Sequence, residues 1–372
     1  MWIIIFASVF VAGVGGIIYL IKAFQRFSFM KKLSEKNKIA ALVTSIAAIS
    51  VIGGVWLIIN GMTMLLVLIH LFIFWIICDI AAFVIKKLCG KSSGKYYAGA
   101  AAFLITAVYL TIGWYLAHHI SITRYSFETD KEIPGGELRI ALIADSHLGI
   151  TLDGEKFEKQ VERIAEESPD MVVIAGDFVD DKSTADDMKA ACKALGELDT
   201  KYGVFYSFGN HDKAYYGTRD FDEDDLRNEL TKNNIVILED ENKMLAENIC
   251  VIGRQDAMEA DRMTIGELSG KADRSDYKIV IDHQPTDYEN EALAGVDLVL
   301  SGHTHGGHIF PVGPISYILG INDHIYGTKR CQDTDFVVTS GISGWEMPFK
   351  TFARSEIVII EVKATPHKAD LT

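Results

Sequence analysis

Four apolar runs, at residues 2–21, 39–59, 62–85 and 98–120, fill the first third of this 372-residue chain and restrict its architecture more than any other feature. About 20 apolar residues in a helix rise about 30 Å, the thickness of a hydrocarbon core. Backbone inside that core must satisfy its own hydrogen bonds, so four spanning helices are expected. The first cations, Lys22 and Arg26, follow the first run, which therefore reads as an anchor and not a cleaved leader. Residues 22–38 hold Lys22, Arg26, Lys31, Lys32, Lys36 and Lys38 against the single acid Glu35, and residues 86–95 hold Lys86, Lys87, Lys91 and Lys95 with no acid. Positive loops stay in the cytoplasm, so both chain ends, and the large C-terminal portion with them, are expected on the extracytoplasmic side of a multi-pass membrane protein. His70 and Asp79 fall within the third run and read as helix packing or a water-filled notch.

The rest of the chain is a different material. Residues 1–120 contain ten Lys or Arg and two Asp or Glu, so of the chain's 36 and 50 the remainder holds 26 and 48, a balance of −22. Such acidity argues against a nucleic-acid partner, since phosphate backbones are held by clustered cations. The acids at 220–225 lack the spaced pattern with a central Gly and read as a helix start, not a calcium loop. Residues 121–136, ending in Pro134, Gly135 and Gly136, read as a linker of sixteen residues. Fully extended, it would reach on the order of 50 Å.

Beyond it, residues 137–372 alternate apolar runs with helical patterns such as 155–167 and 184–198, then turn strand-rich past Asn234. Five runs end in metal-grade ligands. Residues 138–144 lead to Asp145 and His147, and 171–175 to Asp177. Residues 204–208 lead to Asn210, His211 and Asp212, 279–281 to Asp282 and His283, and 296–300 to His303 and His305. In an α/β fold, loops at the carboxyl ends of strands converge on one edge, so ligands distant in sequence can meet. Asp145 and Asp177 are the only acids in the set apart from Asp212 and Asp282. A carboxylate can bridge two cations, and Asp177 is the natural bridge because its run offers one strong ligand and no partner. Two divalent cations held this way would attract a phosphoryl group. Imidazole, carboxylate and amide without thiolate suit Mn²⁺, Fe or Zn²⁺, with Mn²⁺ favoured.

The five blocks stand as ADSHLG, GDFVD, GNHD, DHQP and SGHTHGG, and in that order they resemble the calcineurin-like metallophosphoesterases. The segment SGISGWEMPFK before the last strand makes the chain more similar to their membrane-associated, YkuE-like and transmembrane branch. The resemblance covers residues 137–362 and implies a two-sheet α/β sandwich with its metals at one edge. It implies one ion on Asp145, His147, Asp177 and His305, and a second on Asp177, Asn210, His283 and His303. It further implies that His211 stabilises the transition state or protonates the leaving oxygen, that Asp212 orients His211, and that a hydroxide bridging the ions attacks a phosphate mono- or diester. The neighbouring bilayer favours a lipid or cell-envelope ester, with Trp345, Met347 and Phe349 either against an acyl chain or in the core, and His308 either at substrate or in a loop. A second reading is a membrane sensor that binds a phosphorylated ligand without turning it over.

Overall fold

The computed structural model describes residues 2–90, 95–213 and 218–365, with side chains from Gly13 onward. Two compact units divide at residue 112.

The first unit is helical: α1 (Trp2–Phe24), α2 (Ser28–Lys36), α3 (Lys38–Leu57), α4 (Gly61–Cys89) and most of α5 (Tyr97–His118). Among the described residues three helices, not four, are long and apolar enough to cross a membrane: α3 with 20 residues, α4 with 29 and α5 with 22. The expected first span falls on α1, whose described apolar stretch is only Gly13–Phe24, too short by itself to cross. Lys91 of the second positive loop lies outside the described residues. Within α3, α4 and α5 only 22–33% of each apolar window is buried. Val43, Phe83 and Leu104 point outward, more than half exposed. Apolar surface on that scale suits lipid and not water. Inward, Leu20, Ile49, Leu71, Trp75 and Ala102 form the small core of this unit.

The second unit is built on two six-stranded sheets. The strands are β1 (Ser121–Thr129), β2 (Glu137–Ile143), β3 (Met171–Ala175), β4 (Val204–Ser207), β5 (Val236–Ile237), β6 (Glu241–Ala246), β7 (Ile249–Gly253), β8 (Tyr277–Ile281), β9 (Leu298–Ser301), β10 (Gly327–Cys331), β11 (Thr334–Val338) and β12 (Glu356–Ala364). One sheet runs β1-β12-β2-β3-β4-β5 and the other β10-β11-β9-β8-β7-β6. Alternate residues of both sheets, among them Leu142, Val173, Phe205, Val251, Ile279, Leu300 and Ile360, interdigitate in a shared core. Strands such as β3 and β8 are buried at every position, as continuous apolar runs must be when both faces are covered. On the outer face of the first sheet lie α6 (Gly154–Glu166), α7 (Ala185–Gly196) and α8 (Glu223–Lys232). The helix α6 starts where Asp153 accepts the Lys156 N–H and buries Phe157, Val161 and Ile164 at helical spacing. The acids at 220–225 contain a capping box, Asp222 and Asp225 each accepting the other's N–H, so they do start a helix. On the outer face of the second sheet lie α9 (Ile265–Ser269) and α10 (Tyr288–Leu293).

The stretch expected to be a linker is largely a strand. Nine residues of β1 pair in parallel with β12, from Ser121 opposite Glu356 to Thr129 opposite Ala364. Its alternation places Tyr125 and Phe127 on the core and leaves Arg124, Ser126 and Glu128 exposed. Only residues 130–136 connect β1 to β2.

Candidate metal centre

Strands β2, β3 and β4 are parallel neighbours in one sheet, and β8 and β9 are parallel neighbours in the other. Their five carboxyl ends deliver Asp145 and His147, Asp177, Asn210 and His211, His283, and His303 and His305 to one edge of the sandwich. The backbone there is forced. Asp145, His147, Asp177, His303 and His305 all have φ between 36° and 67°, a region that costs a non-glycine residue about 1–3 kcal/mol each. Close approach also demands glycine: a Cβ on Gly176 would lie 2.6 Å from His283 Nδ1, and one on Gly209 would lie 2.3 Å from Asp177 Oδ1.

Three groups of donors result among the described residues, the ligand atoms in each lying within 4.8 Å of one another: Asp145, His147 and His305; Asp177, His283 and His303; and His147, Asp180 and His211. The first two hold the expected ligands. Asp177 stands between them, its Oδ2 3.7 Å from His147 Nε2 and 3.2 Å from His283 Nε2. The His283 Nδ1–H donates to the Ala175 carbonyl at 2.7 Å, which turns Nε2 toward that carboxylate. Burial disfavours the His283 cation, but Asp177 outweighs it and raises the ring well above the usual imidazole value, so Nε2 holds a proton there unless a metal ion takes its place. His147 Nε2 and His305 Nε2 face each other at 3.1 Å. Ring nitrogen facing ring nitrogen at such a distance is repulsive unless a proton or a cation lies between them. Asn210 Oδ1 and His305 Nδ1 are buried with no hydrogen-bond partner among the described residues. Each such atom costs about 1–3 kcal/mol if left so. Cations would relieve both defects, and the imidazole, carboxylate and amide donors fit divalent ions.

The electrostatics follow from burial. Burial raises the Asp145 carboxyl, with His283 opposing and Asp177 reinforcing the shift. Burial works in the same direction on Asp177, but the imidazoles of His283, His147 and His211 outweigh it and hold that carboxyl below the ordinary range. Burial lowers His303 to about 4 and His305 well below the usual imidazole value, with neighbouring imidazoles adding to it. Both are therefore neutral, the form that ligates.

His211 and Asp212 have parted roles. Asp212 is fully buried and accepts the N–H groups of Asp177, Phe178, Val179 and Gly209 at 2.8–3.1 Å. It shapes the Asp177 loop and is not the residue that faces the His211 ring, contrary to the expectation from the sequence. That residue is Asp180, which sequence reasoning missed: its Oδ1 lies 3.4 Å from His211 Nδ1 and its Oδ2 3.1 Å from His147 Nδ1. Its signal was present in GDFVD, as a second acid three residues after the first. Burial disfavours the His211 cation, but Asp180 and Asp177 raise its pKa to about 9. Its ring lies 5.7 Å from that of Trp345, edge to face.

Asp282, adjacent to His283, turns away into an ion cluster with Arg254 and Arg262. Met347 and Phe349 are core residues, 6% and 3% exposed. His308 is buried, its ring 5.2 Å from His305, and burial lowers it to about 3. Its Nε2 has no partner among the described residues. A second residue missed from sequence is Lys350, fully buried, whose Nζ donates to the carbonyls of Ser340 at 2.5 Å and Gly341 at 3.1 Å. Gly341 backs directly onto Asp145, where a Cβ would lie 2.6 Å from that of the aspartate.

The pattern of the calcineurin-like phosphoesterases matches residues 138–307. The chain is 34% identical over 245 residues to an uncharacterized metallophosphoesterase of Campylobacter jejuni, covering 63% of this chain and 62% of that one. It is 31% identical over 254 residues to an uncharacterized metallophosphoesterase of Aquifex aeolicus, covering 66% and 93%. It is also 28% identical over 291 residues to a bovine (Bos taurus) transmembrane protein with metallophosphoesterase domain, covering 72% and 63%. The match thus spans less than two thirds of the length of the Campylobacter and bovine relatives.

Proposed function

The chain belongs to the calcineurin-like phosphoesterase family, and from that premise we propose that it is a membrane-anchored hydrolase of phosphate mono- or diesters that works with two divalent cations. Asp145, His147, Asp177 and His305 would hold one ion, and Asp177, Asn210, His283 and His303 the other. The observation that carries this reading is Asp177 Oδ2, set between ring nitrogens of both donor groups, 3.7 Å from His147 Nε2 and 3.2 Å from His283 Nε2, with His305 Nε2 3.1 Å from His147 Nε2. Bound there, the ions would supply Lewis acidity to the phosphoryl oxygens and activate a water, Mn²⁺ being favoured and Fe or Zn²⁺ the alternatives.

The chain's own residues would do the rest. Asp180 holds the Nδ1 side of His211, which leaves Nε2 as the nitrogen that can donate. Asp180, which faces Nδ1 and raises the ring's pKa, favours the protonated ring, suited to give its proton to the leaving oxygen. Asp212 fixes the peptide groups of the Asp177 loop so that the bridging carboxylate is presented in one orientation. Trp345 walls the His211 ring from water on one side.

The lysines that precede α5 favour a topology in which this unit lies outside the cytoplasm, with a lipid or cell-envelope ester as substrate. Hydrolysis of an aryl phosphate by detergent-purified protein with added Mn²⁺, and its loss in Asp177→Asn, is the expected result; equal turnover in the variant refutes the assignment. Protease should reach a C-terminal tag from outside the cytoplasmic membrane, and full protection would reverse the topology.

A further inference from the structure

Helix α11 (Val312–Ile318) and the residues after it present an apolar surface to the outside among the described residues of this unit. Val312, Ile315, Tyr317, Leu319 and Ile321 are 50–67% exposed and Ile318 is 80% exposed. Residues 309–321 contain no charged side chain, although the chain from 121 onward has a balance of −22. Phe352, 46% exposed, extends the surface, its ring pressed so closely on the backbone of Gly307 and Gly313 that a Cβ on either would lie 2.8 or 3.1 Å from it.

What lies beside this surface identifies its occupant. The last turns of α5, a helix of span length, belong to this same unit. The Gly113 carbonyl accepts the Lys350 N–H at 2.9 Å, and the carbonyls of Leu116 and Ala117 accept the N–H and hydroxyl of Ser355, each at 2.9 Å. A Cβ on Gly113 would lie 2.8 Å from Thr351 Cγ2. The same Thr351 accepts the Phe310 N–H through its hydroxyl at 3.0 Å, so one residue separates the end of α5 from the segment that leads into the apolar surface. Next to Gly113, Trp114 and Tyr115 are 49% and 53% exposed. Exposed Trp and Tyr at the end of an apolar span mark the level where hydrocarbon meets water. A charge-free apolar surface beside that level fits the bilayer interface.

We infer that Val312–Ile321, together with Phe352, inserts into the bilayer surface beside the end of α5 and holds the metal edge against the headgroups. The inference deepens the proposed function, on whose membrane anchoring it rests. His305, one of the candidate ligands, is only five residues before Phe310, and the His308 carbonyl between them accepts the N–H groups of Thr351 and Phe352 at 2.9 and 3.2 Å. Insertion therefore brings membrane-borne phosphate esters to the ions without lifting them from the bilayer, and amphiphilic phosphate esters are the substrate class it selects.

The test uses the full chain in nanodiscs of phosphatidylethanolamine and phosphatidylglycerol. A benzophenone amino acid replaces Ile318, or Met258 as a control that is 65% exposed. Irradiation should give lipid adducts at 318 at least tenfold above those at 258. Adducts no more frequent than at 258, or cross-links from 318 to a second copy or another protein in their place, would overturn the inference. In parallel, Ile318→Glu with Leu319→Glu should lower turnover of phosphatidic acid in vesicles tenfold or more while leaving a soluble aryl phosphate within twofold. Equal loss on both substrates, or on neither, would also overturn it. A wild-type protein inert toward the aryl phosphate would instead count against the proposed hydrolase, and the adduct pattern would still decide insertion.

Discussion

Each unit contains an acid ringed by polar side chains, and the two rings are wired in opposite senses. Around Asp79 of α4 every neighbour is a donor: the hydroxyls of Tyr19 and Tyr96 donate at 2.5 and 2.6 Å, and Arg26 pairs with the same carboxylate. Tyr96 in turn accepts from Trp75 Nε1 at 2.8 Å. Around Asp177 the near side-chain atoms are ring nitrogens able to ligate, His283 Nε2 and His147 Nε2, with Asn210 Oδ1 buried and unpartnered among the described residues. The first ring closes on its own and ties helices together. The second leaves buried acceptors unpartnered, and cations inside it would complete it. Counting ionisable residues would have flagged both, and only the donor and acceptor pattern tells structure from chemistry.

Removing divalent ions should separate the two most sharply. Dialysis against chelator should cut ester hydrolysis by about 10³-fold or more, with recovery on adding Mn²⁺ or Zn²⁺. Ions bound only by the folded state, at a hundred times their Kd, should add about 2.7 kcal/mol to unfolding stability in a melting assay. Activity indifferent to chelator would erase the contrast. Asp212→Ala strands four buried N–H groups and should cost about 3–5 kcal/mol, read by denaturant unfolding, with metal content falling as the Asp177 loop loosens.

A smaller loss is expected for Asp180→Asn, about 10–100-fold in turnover and in metal affinity together, because one carboxylate serves both the His147 and the His211 rings. Calorimetry with Mn²⁺ beside steady-state kinetics would show whether the two fall together. Least of all, Asp79→Asn should leave hydrolysis of a soluble ester within about twofold, while weakening the helical unit by about 1–2 kcal/mol. A large catalytic effect at Asp79 would mean that its ring is not merely structural.

The ligand residues and the strands before them were legible in the sequence because each lies next to its own apolar run. A strand buried on both faces reads as a short apolar stretch, and the ligand that follows marks its end. The role of Asp180 was not legible, because GDFVD does not say whether the second acid faces the imidazoles or the core. Asp212 misled for the reverse reason: adjacency to His211 suggested a shared orientation, but its side chain turns back to cap the Asp177 loop. The strand β1 was hidden by weighting Pro134, Gly135 and Gly136 over the alternation of Thr123, Tyr125 and Phe127, which a strand needs and a linker does not. The count of spans exceeded the three found among the described residues, since hydropathy alone does not fix how much of the first run is a complete crossing.

The joint between α5 and β1 has a last consequence. Two residues, His119 and Ile120, separate a helix end hydrogen-bonded to the 350–355 loop from a strand laddered along its whole length to β12. Within the second unit such a joint leaves no slack between the end of α5 and the sheet, so under the proposed function the metal edge would stay beside that helix end. With that helix seated in a bilayer, enzyme and amphiphile would meet by lateral diffusion. The rate would then follow the number of substrate molecules per unit area of membrane, not their concentration in the surrounding water.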